Sequence, residues 1–137
     1  MNNIENLTIV IVTYRTEEKI LTECLNSINS KSNILIVENS KNSELKDKLE
    51  QKYQNLSVIT SGENLGYGGG NNFGLSKVKT KYALILNPDV ILEKNFFDEI
   101  VNYLDEKINF HIIGMKYKND NTWKTSGSFN EFDKNLS

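Results

Sequence analysis

Five short runs of apolar and β-branched residues recur along the chain. They are residues 7–13 (LTIVIVT), 33–38 (NILIVE), 56–60 (LSVIT), 82–87 (YALILN) and 110–115 (FHIIGM). Most of these runs are almost continuously apolar, a pattern typical of strands that are buried on both faces of a sheet. The pattern therefore predicts five strands in a mostly parallel sheet that is covered by helices.

Helical periodicity fills the intervals between these runs. The first helix is predicted to follow a cap at Thr16, because the next apolar positions repeat at helical spacing: Ile20, Leu21, Cys24, Leu25 and Ile28. Further helices are predicted over residues 43–54, 72–79 and 95–107. Strands that alternate with helices imply right-handed crossovers. The predicted fold class is therefore α/β, a Rossmann-like, mostly parallel open sheet with helices on both faces.

Composition also limits the structure, the partners and the location that the chain is expected to have. Residues 116–137 are polar and lack a clear period, which predicts an irregular tail with at most a weak hairpin.

The length of 137 residues suits one core, and the formal net charge of -2 gives no reason to expect nucleic acid as a partner. The single cysteine, Cys24, is expected to be a buried core residue in a reducing compartment such as the cytoplasm. The first apolar run is too short to be a leader or a transmembrane segment.

The residues that follow each predicted strand are the candidates for a site, since ligands of open α/β sheets bind beyond the carboxyl ends of the strands. Four of these ends are polar or glycine-rich: Thr13, Tyr14 and Arg15; Glu38, Asn39 and Ser40; SGENLGYGGGNN; and Asn87, Pro88 and Asp89. Loops are polar in general, so each end taken alone also suits a simple turn.

The segment NLGYGGGNNFGL (64–75) is the most unusual part of the chain, with five glycines. Glycines let a backbone approach a ligand, and Asn71 and Asn72 are placed to bind that ligand and to cap the next helix. A flexible turn without a ligand is an equally good interpretation. A Walker loop is excluded because the glycines lack the following lysine, and a dinucleotide fingerprint because the third glycine is missing.

Asp89 lies just beyond a buried strand, where Pro88 fixes the turn. A carboxylate at this place suits Mg²⁺ or Mn²⁺, which would bridge it to a diphosphate. The alternative is an ordinary Asx-type turn.

Four blocks together resemble the family 2 glycosyltransferases in order and spacing. The blocks are VTYR (12–15), IVENS (36–40), NLGYGGGNNFGL (64–75) and LNPDV (86–90), and they are most similar to the bacterial rhamnosyltransferase-like branch. The resemblance implies a GT-A nucleotide-diphospho-sugar transferase fold, of which residues 1–115 would form the N-terminal, donor-binding part. Residues 116–137 would begin an acceptor-side region whose remainder the chain lacks.

The resemblance also implies the roles of individual residues. Thr13 and Tyr14 would line the base pocket, and Glu38 would read the base or ribose. Asp89 would bind Mg²⁺ or Mn²⁺, with Asn87 replacing a second acidic ligand of the family motif. The implied nucleotide-sugar-binding residues are Thr13, Tyr14, Arg15, Glu38, Asn39, Asn64, Gly66, Gly69, Gly70, Asn71, Asn72 and Asn87. From its chemistry alone, Arg15 suits either a diphosphate or a solvated surface charge.

The implied activity is an inverting sugar transfer in cell-surface polysaccharide synthesis, from a UDP or dTDP sugar to a glycan or lipid-linked acceptor. The catalytic base is unassigned, because Glu131 and Asp133 lack the expected context. The alternatives are a non-catalytic donor-binding subunit, an inactive fragment, or a nucleotidyltransferase. The expected location is the cytoplasm, with peripheral association at the inner face of the membrane left open. His111 and Trp123 are predicted to pack rather than to bind a ligand.

Overall fold

Four parallel strands form an open sheet in the order β3-β2-β1-β4. The strands are β1 (Leu7–Thr13), β2 (Asn33–Glu38), β3 (Leu56–Thr60) and β4 (Tyr82–Leu86). The computed structural model describes residues 3–105 and 112–125, and the chain divides into two compact units, Met1–Glu106 and Lys107–Ser137. The α/β fold class predicted from the sequence is confirmed, and the first four predicted strands agree with the observed ones to within one residue.

The helices alternate with the strands of the first unit. They are α1 (Glu18–Asn26), α2 (Glu44–Lys52), α3 (Gly66–Leu75) and α4 (Phe96–Asp105), and a short 3₁₀ turn (Asn3–Asn6) precedes β1. The path from β1 to β3 runs in one direction along the sheet, and the connection from β3 to β4 runs back past β1. Right-handed crossovers therefore put α1 and α2 on one face and α3 on the other.

The two central strands carry the core of the first unit. Every residue of β1 is buried, and only Asn33 of β2 is exposed. On the α3 face, Val10, Val12 and Val37 form a cluster against which Phe73 and other apolar side chains pack. The continuously apolar runs thus have the two-sided burial that their composition predicts.

The glycine-rich segment is helical, which corrects the prediction that the third helix begins at Asn72. Helix α3 starts at Gly66, so Asn71 and Asn72 lie within it and do not cap it. Close packing explains two of the five glycines: a Cβ on Gly70 would lie 2.8 Å from Val12 Cγ1, and one on Gly74 would lie 2.6 Å from Val10 Cγ1. Side chains at these positions would push α3 away from the sheet, so contacts distant in the sequence determine its structure.

The start of α1 also differs from the prediction. Glu17 is the N-cap residue and makes no side-chain cap hydrogen bond. The hydroxyl of Thr16, predicted to be the cap, instead accepts a hydrogen bond from the Tyr14 backbone N–H at 3.4 Å. The polar residues before α1 therefore stabilise the loop after β1 rather than the helix end.

The outer edge of β3 is occupied by two side chains of α2. The Val58 backbone N–H donates to Glu50 Oε1 at 2.8 Å, and Lys46 Nζ donates to the Val58 carbonyl at 3.1 Å. Lys46 and Glu50 also form an ion pair at 2.6 Å. This arrangement, the edge clamp, satisfies backbone groups that an edge strand would otherwise present to another chain.

The second unit contains an antiparallel hairpin of β5 (Lys116–Asn119) and β6 (Thr122–Thr125). Its turn residues Asp120 and Asn121 both have positive φ, as a two-residue type I′ turn requires. Residues 112–115 adopt no regular structure, so the predicted fifth strand is wrong over those positions. Phe110, His111, Glu131 and Asp133 lie outside the described residues. Within the described residues, the longest apolar helix falls short of what a membrane crossing requires.

Candidate functional site

The carboxyl ends of the parallel strands meet at one edge of the sheet, and the predicted site residues follow them. Thr13 ends β1, Glu38 ends β2, and Asn87 comes directly after β4. Thr13 and Glu38 are partners in the β1–β2 register, so their side chains share one face. The topology therefore brings distant parts of the sequence together at this edge.

Glu38 is a buried carboxylate with both oxygens engaged. Its side chain is 3% exposed. Thr13 Oγ1 donates to Oε2 at 2.5 Å, and Ser40 Oγ donates to Oε1 at 2.6 Å. These two hydroxyls compensate the charge for its lost hydration. The predicted base-pocket residue Thr13 is fully buried and directs its hydroxyl to Glu38, so the structure puts both residues beneath the surface of the site.

Asn39 joins the end of β2 to the glycine-rich helix. Its Oδ1 accepts hydrogen bonds from Ser61 Oγ at 3.0 Å and from the Leu65 backbone N–H at 3.1 Å. Its Nδ2 donates to the Gly66 carbonyl at 2.9 Å and to Asn64 Oδ1 at 3.3 Å. An amide side chain has two donor hydrogens and two acceptor lone pairs, so the hydrogen-bonding capacity of Asn39 is filled by the protein.

An open cleft of about 660 Å³ lies beside this network. It is lined by Tyr14, Arg15, Asn39, Ser40, Lys41, Ser61, Gly62, Glu63 and Asn64. Four predicted binding residues therefore share one cavity: Tyr14, Arg15, Asn39 and Asn64. The cleft is polar, and its charged side chains are two cations, Arg15 and Lys41, and one anion, Glu63. The two cations suit a ligand with negative charge.

Arg15 has an unusual backbone conformation at the mouth of the cleft. Its φ is 52°, in the left-handed region that costs a non-glycine residue of the order of 1–3 kcal/mol. The guanidinium carbon lies 5.2 Å from the centre of the Tyr14 ring, within the range of a cation–π contact. This conformation turns the chain sharply after β1.

Lys41 was not predicted as a site residue, and Ser61, Gly62 and Glu63 were predicted only as part of the polar stretch that follows the third strand. All four lie within two residues of a strand end or a predicted block, and Gly62 has a positive φ of 77°. Proximity to the strand ends was the available signal. Their type gave none, because lysine, serine and glutamate are common in any loop.

The predicted residues of the glycine-rich segment are divided between packing and surface. Gly70 is buried against Val12 and Asn39, and a Cβ on Gly69 would lie 3.0 Å from Leu65 Cβ. Asn71 is buried, and its Nδ2 donates to the Tyr67 carbonyl at 3.1 Å. Asn72 is exposed on α3. None of these four lines the cleft, whereas the Gly66 carbonyl belongs to the Asn39 network.

A tight turn over residues 87–90 follows β4. The Val90 backbone N–H donates to the Asn87 carbonyl at 3.2 Å, so Pro88 and Asp89 are the two central residues of the turn. The Asp89 side chain is exposed. Burial raises the pKa of the nearby Cys24 thiol to about 11, and the Asp89 carboxylate adds to that increase.

Asp89 alone suits only a cation that takes its other ligands from a bound molecule and from water. The described residues contain no group of three or more His, Cys, Asp or Glu side chains that could hold an ion alone. Mg²⁺ commonly binds through one or two carboxylates together with phosphate oxygens and water. An exposed single carboxylate fits that mode and does not fit a closed protein cage.

Comparison with known proteins decides the family. The family described as "Glycosyl transferase family 2" matches residues 8–135. The chain belongs to glycosyl transferase family 2. The family resemblance inferred from the four sequence blocks is thus confirmed.

Two relatives of this family 2 chain are named as sugar transferases. It is 32% identical over 120 residues to the low-salt glycan biosynthesis hexosyltransferase Agl10 of Haloferax volcanii, covering 85% of this chain and 38% of the relative. It is 32% identical over 108 residues to the rhamnosyltransferase WbbL of Escherichia coli, covering 72% of this chain and 40% of the relative. The chain therefore spans about two-fifths of the length of these relatives.

A solved structure shares the fold. The S. aureus TarS fragment 1–349 superposes with a TM-score of 0.62 at 23% identity, over 73% of this chain and 32% of that fragment. The same TarS fragment in complex with UDP gives a TM-score of 0.61. At this identity the likeness shows the fold of the family 2 chain.

Proposed function

We propose that this chain is the donor-binding part of a glycosyltransferase that acts in cell-surface polysaccharide synthesis. The donor would be a UDP or dTDP sugar and the acceptor a glycan or a lipid-linked glycan. The observation that carries the proposal is the polar cleft at the carboxyl ends of β1–β3, in a chain of glycosyl transferase family 2. Residues 1–115 would form the donor-binding domain, and residues 116–137 would begin the acceptor side.

The cleft has the features expected of a nucleotide site. Tyr14 offers an exposed aromatic ring to a base, and Arg15 and Lys41 offer positive charge to a diphosphate. Both carboxylate oxygens of Glu38 and both ends of the Asn39 amide form hydrogen bonds within the protein, so these residues would shape the wall of the cleft. The UDP complex of the structural neighbour TarS agrees with a nucleotide ligand.

Asp89 would hold Mg²⁺ or Mn²⁺ together with the diphosphate of the donor. The negative charge that grows on the leaving diphosphate would be neutralised there. Asn87 has no carboxylate, so Asp89 is the only acidic side chain of its turn. We infer an inverting displacement, in which an acidic base activates the acceptor hydroxyl. That base is unassigned among the described residues.

Isothermal titration of the protein with UDP, dTDP and their sugars, with Mn²⁺ and with a chelator, tests the proposal. We expect affinity in Mn²⁺ that falls by about tenfold or more in Asp89→Ala, since losing a charged contact costs about 1.5–3 kcal/mol. The matched control is Asp47→Ala, which removes an exposed aspartate of α2, distant in sequence from the strand ends, and should leave affinity unchanged.

The possible results distinguish the proposed donor site from its alternatives. Absence of nucleotide binding under all conditions would refute the donor site. Binding without transfer to any acceptor would favour the alternative of a donor-binding subunit or an inactive fragment. Release of pyrophosphate from a nucleoside triphosphate and a sugar phosphate would instead indicate a nucleotidyltransferase.

A further inference from the structure

The turn that carries Asp89 is held by side chains from both faces of the sheet. Asn87 begins the turn, and its two oxygen atoms accept hydrogen bonds from different helices. Its side-chain Oδ1 accepts from the Tyr67 hydroxyl of α3 at 2.5 Å. Its backbone carbonyl accepts from the Cys24 thiol of α1 at 3.7 Å, in addition to the Val90 N–H that closes the turn.

A second contact from α1 holds the segment just after the turn. Ser27 Oγ accepts a hydrogen bond from the Leu92 backbone N–H at 3.0 Å. The same hydroxyl donates to the Cys24 carbonyl at 2.6 Å, which fixes its orientation. The last turn of α1 therefore holds the chain at two points, Asn87 and Leu92, on either side of Asp89.

These contacts give Asn87 a structural role that a metal ligand would not have. An amide oxygen can accept the Tyr67 hydroxyl without adding a second negative charge to the turn. Asp89 is left as the exposed carboxylate at its tip, with the backbone on both sides fixed. A carboxylate that is already in place loses less conformational freedom when an ion and a diphosphate bind.

We propose that Tyr67, Cys24 and Ser27 are positioning residues that hold the turn over residues 87–90 and thereby fix Asp89 for metal-dependent donor binding. The proposal rests on the function proposed above, in which Asp89 binds the ion. None of the three residues touches the ligand in this role. Removing their contacts should therefore weaken only the part of nucleotide affinity that depends on metal.

The experiment measures the UDP dissociation constant with Mn²⁺ and with a chelator for the full chain and for matched variants. Tyr67→Phe removes one hydroxyl from an exposed ring, and Ser27→Ala removes the partner of the Leu92 N–H. We expect each to weaken binding in Mn²⁺ by about three- to tenfold and to leave binding in chelator unchanged, as loss of one hydrogen bond implies.

Conservative and unrelated variants serve as controls. Ser27→Thr and Cys24→Ser keep a donor or acceptor at the same place and should bind nearly as well as the wild type. Tyr103→Phe removes a hydroxyl from a tyrosine of α4 whose exposure, 54%, matches the 55% of Tyr67, and should change neither value. Thermal unfolding of every variant checks that the fold is retained.

Two outcomes would overturn the proposal in different ways. Wild-type affinity in Mn²⁺ for both Tyr67→Phe and Ser27→Ala would show that these contacts do not position Asp89. Equal weakening in Mn²⁺ and in chelator would show that they support the fold or touch the nucleotide. If the wild type itself binds UDP without any effect of Mn²⁺, the metal role of Asp89 fails first, and this proposal fails with it.

Discussion

A single buried amide, that of Asn39, joins three segments of the first unit. Its side chain connects the end of β2 to Ser61 and Asn64 of the loop after β3, and to the first residues of α3. Its backbone N–H also donates to the Thr13 carbonyl of β1 at 2.8 Å. The geometry of the cleft wall thus depends on one residue whose side chain has no remaining hydrogen-bonding capacity.

Asn39→Ala should destabilise the protein by about 2–3 kcal/mol, because partly buried donors and acceptors lose their partners. Asn39→Asp should destabilise it at least as much, since it would turn a carboxylate oxygen toward the Gly66 carbonyl and Asn64 Oδ1. Urea unfolding measures both changes. Asn72→Ala, at an exposed asparagine of α3, is the control and should change stability by less than about 0.5 kcal/mol. Similar values for Asn39→Ala and the control would contradict the role of Asn39 in joining these segments.

Sequence reasoning found Asn39 by its position after a strand and could not find its partners. The same holds for Glu38 and Thr13: their type and register were visible, but the hydrogen bonds that bury them depend on two strands meeting in register. The local sequence does not show which buried polar groups will form hydrogen bonds with each other. A cleft at the strand ends was therefore predictable, whereas the division between lining and supporting residues was not.

Among the elements, α3 is the one whose helical structure is least apparent from its sequence. Turn residues and helix breakers dominate its composition, so local propensity indicated a loop. The close approach of Gly70 and Gly74 to Val10, Val12 and Val37 overrides that propensity. The apolar strands, in contrast, were predicted well, because strands that are buried on both faces are almost continuously apolar in sequence.

Gly74→Ala should destabilise the protein by about 1–3 kcal/mol despite alanine's better helix propensity, because its Cβ would lie 2.6 Å from Val10 Cγ1 and 2.9 Å from Val37 Cγ2. Gly68→Ala is the matched control on the same helix, where no atom beyond the neighbouring residues and the backbone of the helix itself lies within 4 Å of the added Cβ. That change should stabilise the protein by about 0.5–1 kcal/mol. Chemical denaturation of both variants gives the comparison, and a stabilising Gly74→Ala would refute the packing explanation.

The edge clamp between α2 and β3 should respond to acid. Hydrogen bonds from Lys46 and then from the Val58 N–H lower the pKa of Glu50 below its ordinary value of 4.5. The lowered folded-state pKa means that the clamp contributes fully above the ordinary glutamate pKa and is lost as the pH falls through the folded-state value.

Comparison of the wild type with Glu50→Gln tests this response in urea as a function of pH. The stability difference between the two should be present at neutral pH and disappear in acid, and it should be small because the pair is partly exposed. Glu18→Gln, which removes the exposed ion pair with Lys48, is the control whose effect should vanish in high salt. A difference that does not change with pH would show that the Glu50 charge is unimportant to the clamp.

At the scale of the whole molecule, the order of the strands decides where the site lies. The sheet brings the ends of β1, β2 and β4 to one edge, and the family match extends over residues 8–135. The alternation of strand and helix was sufficient to predict a mostly parallel open sheet with helices on both faces, although it did not predict the strand order. Residues 112–115 were not predicted correctly, because a short apolar run has no periodicity that separates a strand from an irregular segment.

The five glycines of α3 also affect when this helix forms during folding. At about 1 kcal/mol each relative to alanine, they disfavour an isolated helix by roughly 5 kcal/mol. Residues 66–75 therefore have little tendency to form a helix in the unfolded chain, and we expect them to become helical when they pack on Val10, Val12 and Val37. Helix α3 and the sheet beneath it should accordingly become ordered together.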